Sequence, residues 1–253
     1  MNSAPTPTPD TGAPALSQVS RIANVFFSPS TTFDDIKRDT SWWMAWLLIS
    51  VIAVVFAFSM QQKIGWEQVT KNDINASRMR TEQWEKATPE QRAAQLTIGS
   101  KATAGVWYGM PVIILLFSML FAALYMATFN FGLGKELSFS SSLAVIFYAS
   151  IPAALKWLLA VIVLYAGADP EAFDPQNPVA TNLSFLPGFS RLEHPVLYAV
   201  ATSFDLFRIW GMILTAIGFA SVARVKRSTA AWVVAGWFAI GIALAAGITA
   251  IFS

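Results

Sequence analysis

Three charged side chains sit inside stretches that are otherwise apolar: Lys156, Asp205 and Arg208. A charge at the centre of a bilayer costs about 2.5–3.5 kcal/mol on insertion scales, so each needs a partner or a task. Lys156 stands ten residues before Ala166, near the end of its span, and Asp205 stands ten residues after Pro195, the start of the next. At about 1.5 Å of rise per residue, both lie about 15 Å from the same end of neighbouring antiparallel helices, which predicts a Lys156–Asp205 pair. Arg208 follows one turn on, within reach of Asp205 at i,i+3. Two chemistries fit such a trio. One is a polar pathway or a site for an anionic group. The other is an ion-pair cluster that fixes helix register, with Lys156 or Arg208 partly extended toward the interface. Pro152, one turn before Lys156, removes the hydrogen bond to the Tyr148 carbonyl and bends its helix. Such a bend suits a moving part or simple packing.

Few other residues could do chemistry. With no Cys, the chain has no disulfide, thiolate metal site, iron–sulfur cluster or Cys nucleophile. A single His, His194, argues against an imidazole metal site or haem, so no metal and no cofactor is expected. Asp205 lacks the second acid an intramembrane aspartyl protease requires, and Gly132-Leu133-Gly134-Lys135 is too short for a phosphate-cradling loop. No catalytic set remains, and the expectation is a protein that is not an enzyme. A net charge of only +2 speaks against a nucleic-acid partner.

The elements that must position these residues are set by solvent. Of 253 residues, 55% are hydrophobic and 13% charged, with ten Trp and nineteen Phe; the mean hydropathy is +0.51. Soluble domains carry about 25% charge, so the natural partner of this surface is a lipid bilayer. Five runs, Thr40–Gln62, Ala102–Gly134, Leu137–Ala168, Pro195–Ala223 and Ser228–Ser253, are nearly free of charge. Each exceeds the roughly 20 residues a crossing helix needs, and none can cross twice. The expected fold is an all-α polytopic bundle of five transmembrane helices, with spans near 42–60, 104–131, 140–166, 195–223 and 229–252. Residues 1–16, rich in Pro and Thr, read as a disordered tail.

Residues 17–41 read as short interfacial helices. Val19, Ile22, Ala23, Phe26 and Phe27 recur at helical spacing with Arg21 and Asn24 between them, Ser28-Pro29 ends that helix, and Thr32–Asp35 resembles a capping box that opens a second. Between the first two spans, Trp66–Lys86 reads as a surface helix or hinge. Thr88-Pro89-Glu90-Gln91 opens a helix that can run into span two. The Pro-, Asn- and Asp-rich stretch Asp169–His194 predicts a shaped loop. Gly105 and Gly109, and the stripe Ala235, Ala239, Ala243 and Gly247, read as close-packing faces within the chain.

Arg224-Val225-Lys226-Arg227, between spans four and five, has three cations and no acid. By the positive-inside rule it places the N-terminus inside and the C-terminus outside. The seven Lys and Arg after span one, interleaved with five acids, pull the other way. Arg224, Lys226 and Arg227 are the candidates for contact with anionic headgroups. A membrane or cytoplasmic protein is the further partner class that fits.

Several segments bear a family resemblance. Phe26–Ile36, Gly134–Pro152, Phe173–Asn182 and the Asp205-to-Lys226 stretch with Trp210 and Gly218 resemble the Yip family, in particular its bacterial branch. These are five-span proteins whose eukaryotic members interact with Rab-type GTPases. Tyr148, Ile151 and Pro152 match the Tyr-x-x-Leu-Pro element that the eukaryotic members carry in span three. Phe147 stands where a Gly usually precedes that Tyr, and the acidic Asp-Leu-Tyr-Gly-Pro element before span one is absent. The resemblance implies a five-helix fold with a cytoplasmic N-terminus, in the bacterial cytoplasmic membrane.

Overall fold

The structure is a computed structural model that describes residues 15–252. The tail expected over residues 1–16 therefore lies, apart from Ala15 and Leu16, outside the described residues. Everything described is helix, turn or loop, with no strand. Two short helices, α1 (Gln18–Phe27) and α2 (Pro29–Asp35), precede the first span, α3 (Trp43–Lys63). Beyond it come α4 (Trp66–Asn75), α5 (Arg78–Lys86) and α6 (Pro89–Tyr108). The second span, α7 (Met110–Ala127), ends in a π-helical turn, Thr128–Gly132. The third span is α8 (Phe139–Tyr165). After a long loop containing one 3₁₀ turn (Leu183–Phe185) come α9 (Pro195–Ser203), α10 (Leu206–Val222) and α11 (Arg227–Phe252).

Four of these helices are long and apolar enough to cross a membrane; α9 and α10 together make the fifth crossing. α8 is the central rod. Every residue from Ser141 to Ala149 is buried, as expected for a helix apolar all round, and α3, α7 and α10 pack around it. α10 approaches so closely that a Cβ on Gly218 would lie 2.6 Å from Val145 Cγ1 and 2.9 Å from Phe33 Cδ1. Gly218 thus fixes the meeting point of α2, α8 and α10. Gly218→Ala is expected to cost about 1–3 kcal/mol through overpacking, read as a lowered melting temperature in detergent. Gly236→Ala, where a Cβ meets nothing within 4 Å, is the matched control and should not lower it.

Four expectations need correction. The second short helix starts at Pro29, with Ser28 as its N-cap, rather than at Thr32; proline suits the first helical position, and the Thr32 hydroxyl instead donates to the Arg21 carbonyl at 3.0 Å. The helix opened by the Thr88–Gln91 capping box stops at Tyr108 because Pro111 cannot continue it, so the second crossing starts at Met110 and not near residue 104. The run 195–223 is broken at Phe204. The glycine and alanine stripes do not pack inside: Gly105 and Gly247 face open space, and Ala239 and Ala243 are exposed.

Candidate functional site

The break in the fourth crossing is built by Asp205, in extended backbone conformation at the N-cap of α10. Its Oδ1 accepts the backbone N–H groups of Phe207 and Arg208 at 3.0 and 3.3 Å. Its Oδ2 accepts Lys156 Nζ at 2.8 Å and the Thr181 hydroxyl at 2.6 Å. Backbone groups inside a bilayer must be paired internally. The Leu206 N–H, outside the helical ladder, goes to the Thr181 carbonyl at 2.9 Å. The loop before α9 thus folds into the gap. There Asn177 donates to Ser184 Oγ and to the Tyr198 hydroxyl, both at 2.9 Å, and Phe173 is buried against Phe56, Met60, Ala160 and Leu164.

The expected Lys156–Asp205 pair is present, with 17% and 6% of the two side chains exposed. The expected third member is not. Only the backbone N–H of Arg208 hydrogen-bonds to Asp205; its guanidinium is turned to α11 and lies over the Phe238 ring, 5.1 Å from the centroid. Once Asp205 became an N-cap, the i,i+3 relation brought the Arg208 amide to the carboxylate and turned its side chain toward α11. With both oxygens engaged, the Asp205 carboxylate is a clasp holding α8, α10 and the loop together.

A second polar centre lies at the other end of the bundle, under α1. Arg21 is 0% exposed, although its sequence neighbours suggested the polar face of an interfacial helix. Its Nε donates to Asp35 at 2.7 Å, its Nη2 lies 2.6 Å from Asp35 and 3.1 Å from Asp39, and its Nη1 donates to the Ser41 carbonyl at 3.4 Å. Burial alone would lower the Arg21 pKa. Hydrogen bonds and charge from Asp35, Tyr148 and Asp39 more than offset that and hold it above its ordinary value. A hydrogen bond from the Ser41 hydroxyl, against the opposing effect of burial, keeps the Asp39 carboxyl below its usual range. From α8, Tyr148 donates to Gln18 Oε1 at 2.5 Å, and Phe26 meets Trp210 edge-on at 5.5 Å. Gln18, Arg21 and Val25 face the bundle, and Val19, Ala23 and Phe27 face away.

Arg224, Lys226 and Arg227 are exposed on this same end. Arg224 adopts φ +52° just past the end of α10, where a helix often closes with glycine. Arg227 Nη2 donates to Ser30 Oγ at 3.0 Å and Ser221 Oγ to Asp34 at 2.6 Å, so the cationic connection and α2 form one surface. No group of His, Cys, Asp and Glu among the described residues could hold a metal ion.

Comparison with known families matches the Yip1 domain over residues 23–248. The chain belongs to that family. Comparisons with curated proteins and with solved structures found no match. Membership and the spans together make this Yip1-domain chain an integral membrane protein. Its Tyr148, Ile151 and Pro152 lie on central α8: Tyr148 is fully buried and tethers α1, Ile151 is buried, and Pro152 stands inside the helix. Sequence reasoning missed Arg21, Asp35 and Asp39 as a unit. The signal was there in the spacing, since Gln18, Arg21 and Val25 share one helical face and Asp35 and Asp39 stand four apart. Thr181 carried no such signal.

Proposed function

We propose that this protein is a non-enzymatic organiser of the membrane, or of partner proteins, at the cytoplasmic face of the bacterial cytoplasmic membrane, with its N-terminus inside and C-terminus outside. The observation that carries the reading is the outward stripe of α1. Val19 is 68% and Phe27 87% exposed, on a helix whose other face is held by the buried Arg21. An apolar stripe so mounted enters the headgroup–acyl boundary. Arg224, Lys226 and Arg227 on the same end add about 1 kcal/mol each where anionic lipid is present.

Because the chain lacks cysteine, Phe27→Cys carries a single fluorophore. In proteoliposomes its emission should be quenched by lipid-borne quenchers. Replacing Arg224, Lys226 and Arg227 together by Gln should remove the dependence of that quenching on anionic lipid. A label bathed in water at every lipid composition refutes the proposal. The alternative, a small transporter or channel using Lys156, Asp205 and Arg208, is favoured by the interrupted fourth crossing. The engaged Asp205 carboxylate and the Arg208 side chain turned to Phe238 weigh against it.

A further inference from the structure

The end of the bundle opposite α1 holds a cleft between α4, α5, the long loop and the ends of α9 and α11. It consists of two chambers of about 440 and 560 Å³ that share Asp73, Asp174, Arg191 and Tyr198, a size typical of small-molecule sites. Their charges differ. The first chamber adds Arg78 and Arg80 to the shared residues and so carries three arginines against two aspartates. The second adds Glu171 and carries three acids against one arginine. Over the whole cleft the three arginines and three acids balance.

The fixed pairs are incomplete. Arg191 meets Asp174 at 3.0 Å with about 30% of each side chain exposed, and the Arg80–Asp73 pair is more open still. Each guanidinium therefore keeps spare donors and each carboxylate spare lone pairs. A simple anion drawn to the arginines meets the aspartates, and a simple cation meets the reverse. An occupant that carries both signs satisfies both chambers.

The walls add a third requirement. Trp107 and Phe173 line the second chamber and are steadied by Phe56, at 5.5 and 6.4 Å between ring centroids. The first chamber runs out along Ala199 and Thr202 of α9 and Ile248 of α11, the last 59% exposed on a helix that spans the bilayer. The polar end is thus continuous with surface that faces acyl chains.

We infer that this cleft binds a zwitterionic phospholipid, with its phosphate on Arg78, Arg80 and Arg191 and its ammonium beside Asp73, Glu171 and Asp174. The Trp107 ring in the second chamber attracts the ammonium further, and the acyl chains leave along α9 and α11. This site stands at the other end of the bundle from the surface invoked above and is independent of it.

The test uses the purified full chain in detergent, with melting temperature followed against added ligand. Short-chain phosphatidylethanolamine should raise it with a half-saturating concentration about tenfold lower than short-chain phosphatidylglycerol requires. D73N/D174N should reverse that order. Glu171→Gln, whose side chain supports no other contact shown, should weaken the phosphatidylethanolamine response several-fold without changing the lipid-free melting temperature, which keeps the test open if the double variant fails to fold. Equal responses to the two lipids, an order unchanged in D73N/D174N, or a phosphatidylethanolamine response unchanged in Glu171→Gln would overturn the proposal. So would soluble glycerophosphoethanolamine acting as strongly as the lipid, since the acyl exit would then have no role.

Discussion

Replacing Lys156 with alanine is expected to destabilise the bundle by about 3–5 kcal/mol, the usual consequence of stripping one partner from a buried ion pair. Asp205 would keep the Thr181 hydroxyl and two backbone amides, but its charge would face an apolar surround. Asp205→Asn should cost a similar amount for the opposite reason, leaving the Lys156 ammonium unmatched. The double variant Lys156→Met with Asp205→Asn should recover to within about 1 kcal/mol, because asparagine caps a helix as well as aspartate and no charge is left to desolvate. Unfolding in micelles of increasing dodecyl sulfate measures all three. Recovery in the double variant identifies a structural clasp. Loss of solute flux in Asp205→Asn proteoliposomes with undiminished stability would instead establish the transporter reading.

The second large effect is local. Arg21→Ala removes the cation from beneath α1 and leaves Asp35, itself buried, without its charge partner, again at about 3–5 kcal/mol. The loss should fall on α1 and α2 and spare α8, because stability is held in separable units. Amide exchange over residues 18–39 should accelerate about a hundredfold or more, by the conversion of free energy to equilibrium constant, while residues 141–149 keep their protection. Arg21→Lys should fall between, since one ammonium cannot match the planar fork that reaches Asp35, Asp39 and the Ser41 carbonyl together. Unchanged exchange in Arg21→Ala would mean that α1 is held by Val25, Phe26 and Tyr148 alone.

The helices that cross the bilayer were legible because each apolar run shows its length directly, and the Lys156–Asp205 pair was legible because depth in a membrane reduces to counting residues. What escaped detection depended on three-dimensional relations that a run of hydropathy does not encode. The break at Phe204 is such a case. Ser203, Phe204 and Asp205 look like the middle of a span, and only a distant Thr181 that satisfies the Leu206 amide permits the helix to stop there. Arg21 is another, since its burial depends on two aspartates supplied by the next turns of chain. The direction in which Arg208 points followed from the break and could not be known without it. Conversely, the Thr88–Gln91 capping box was fully visible because both of its hydrogen bonds are made within four residues.

The separation of Lys156 from Asp205 along the chain bears on biogenesis. The two stand 49 residues apart, with the whole 166–194 loop between them. During co-translational insertion α8 must enter lipid with its ammonium unmatched, a penalty of about 2.5–3.5 kcal/mol, until the following hairpin emerges. The third span therefore has reason to linger at the translocon until the fourth span arrives. A ribosome stalled before residue 205 should leave α8 loosely integrated and extractable.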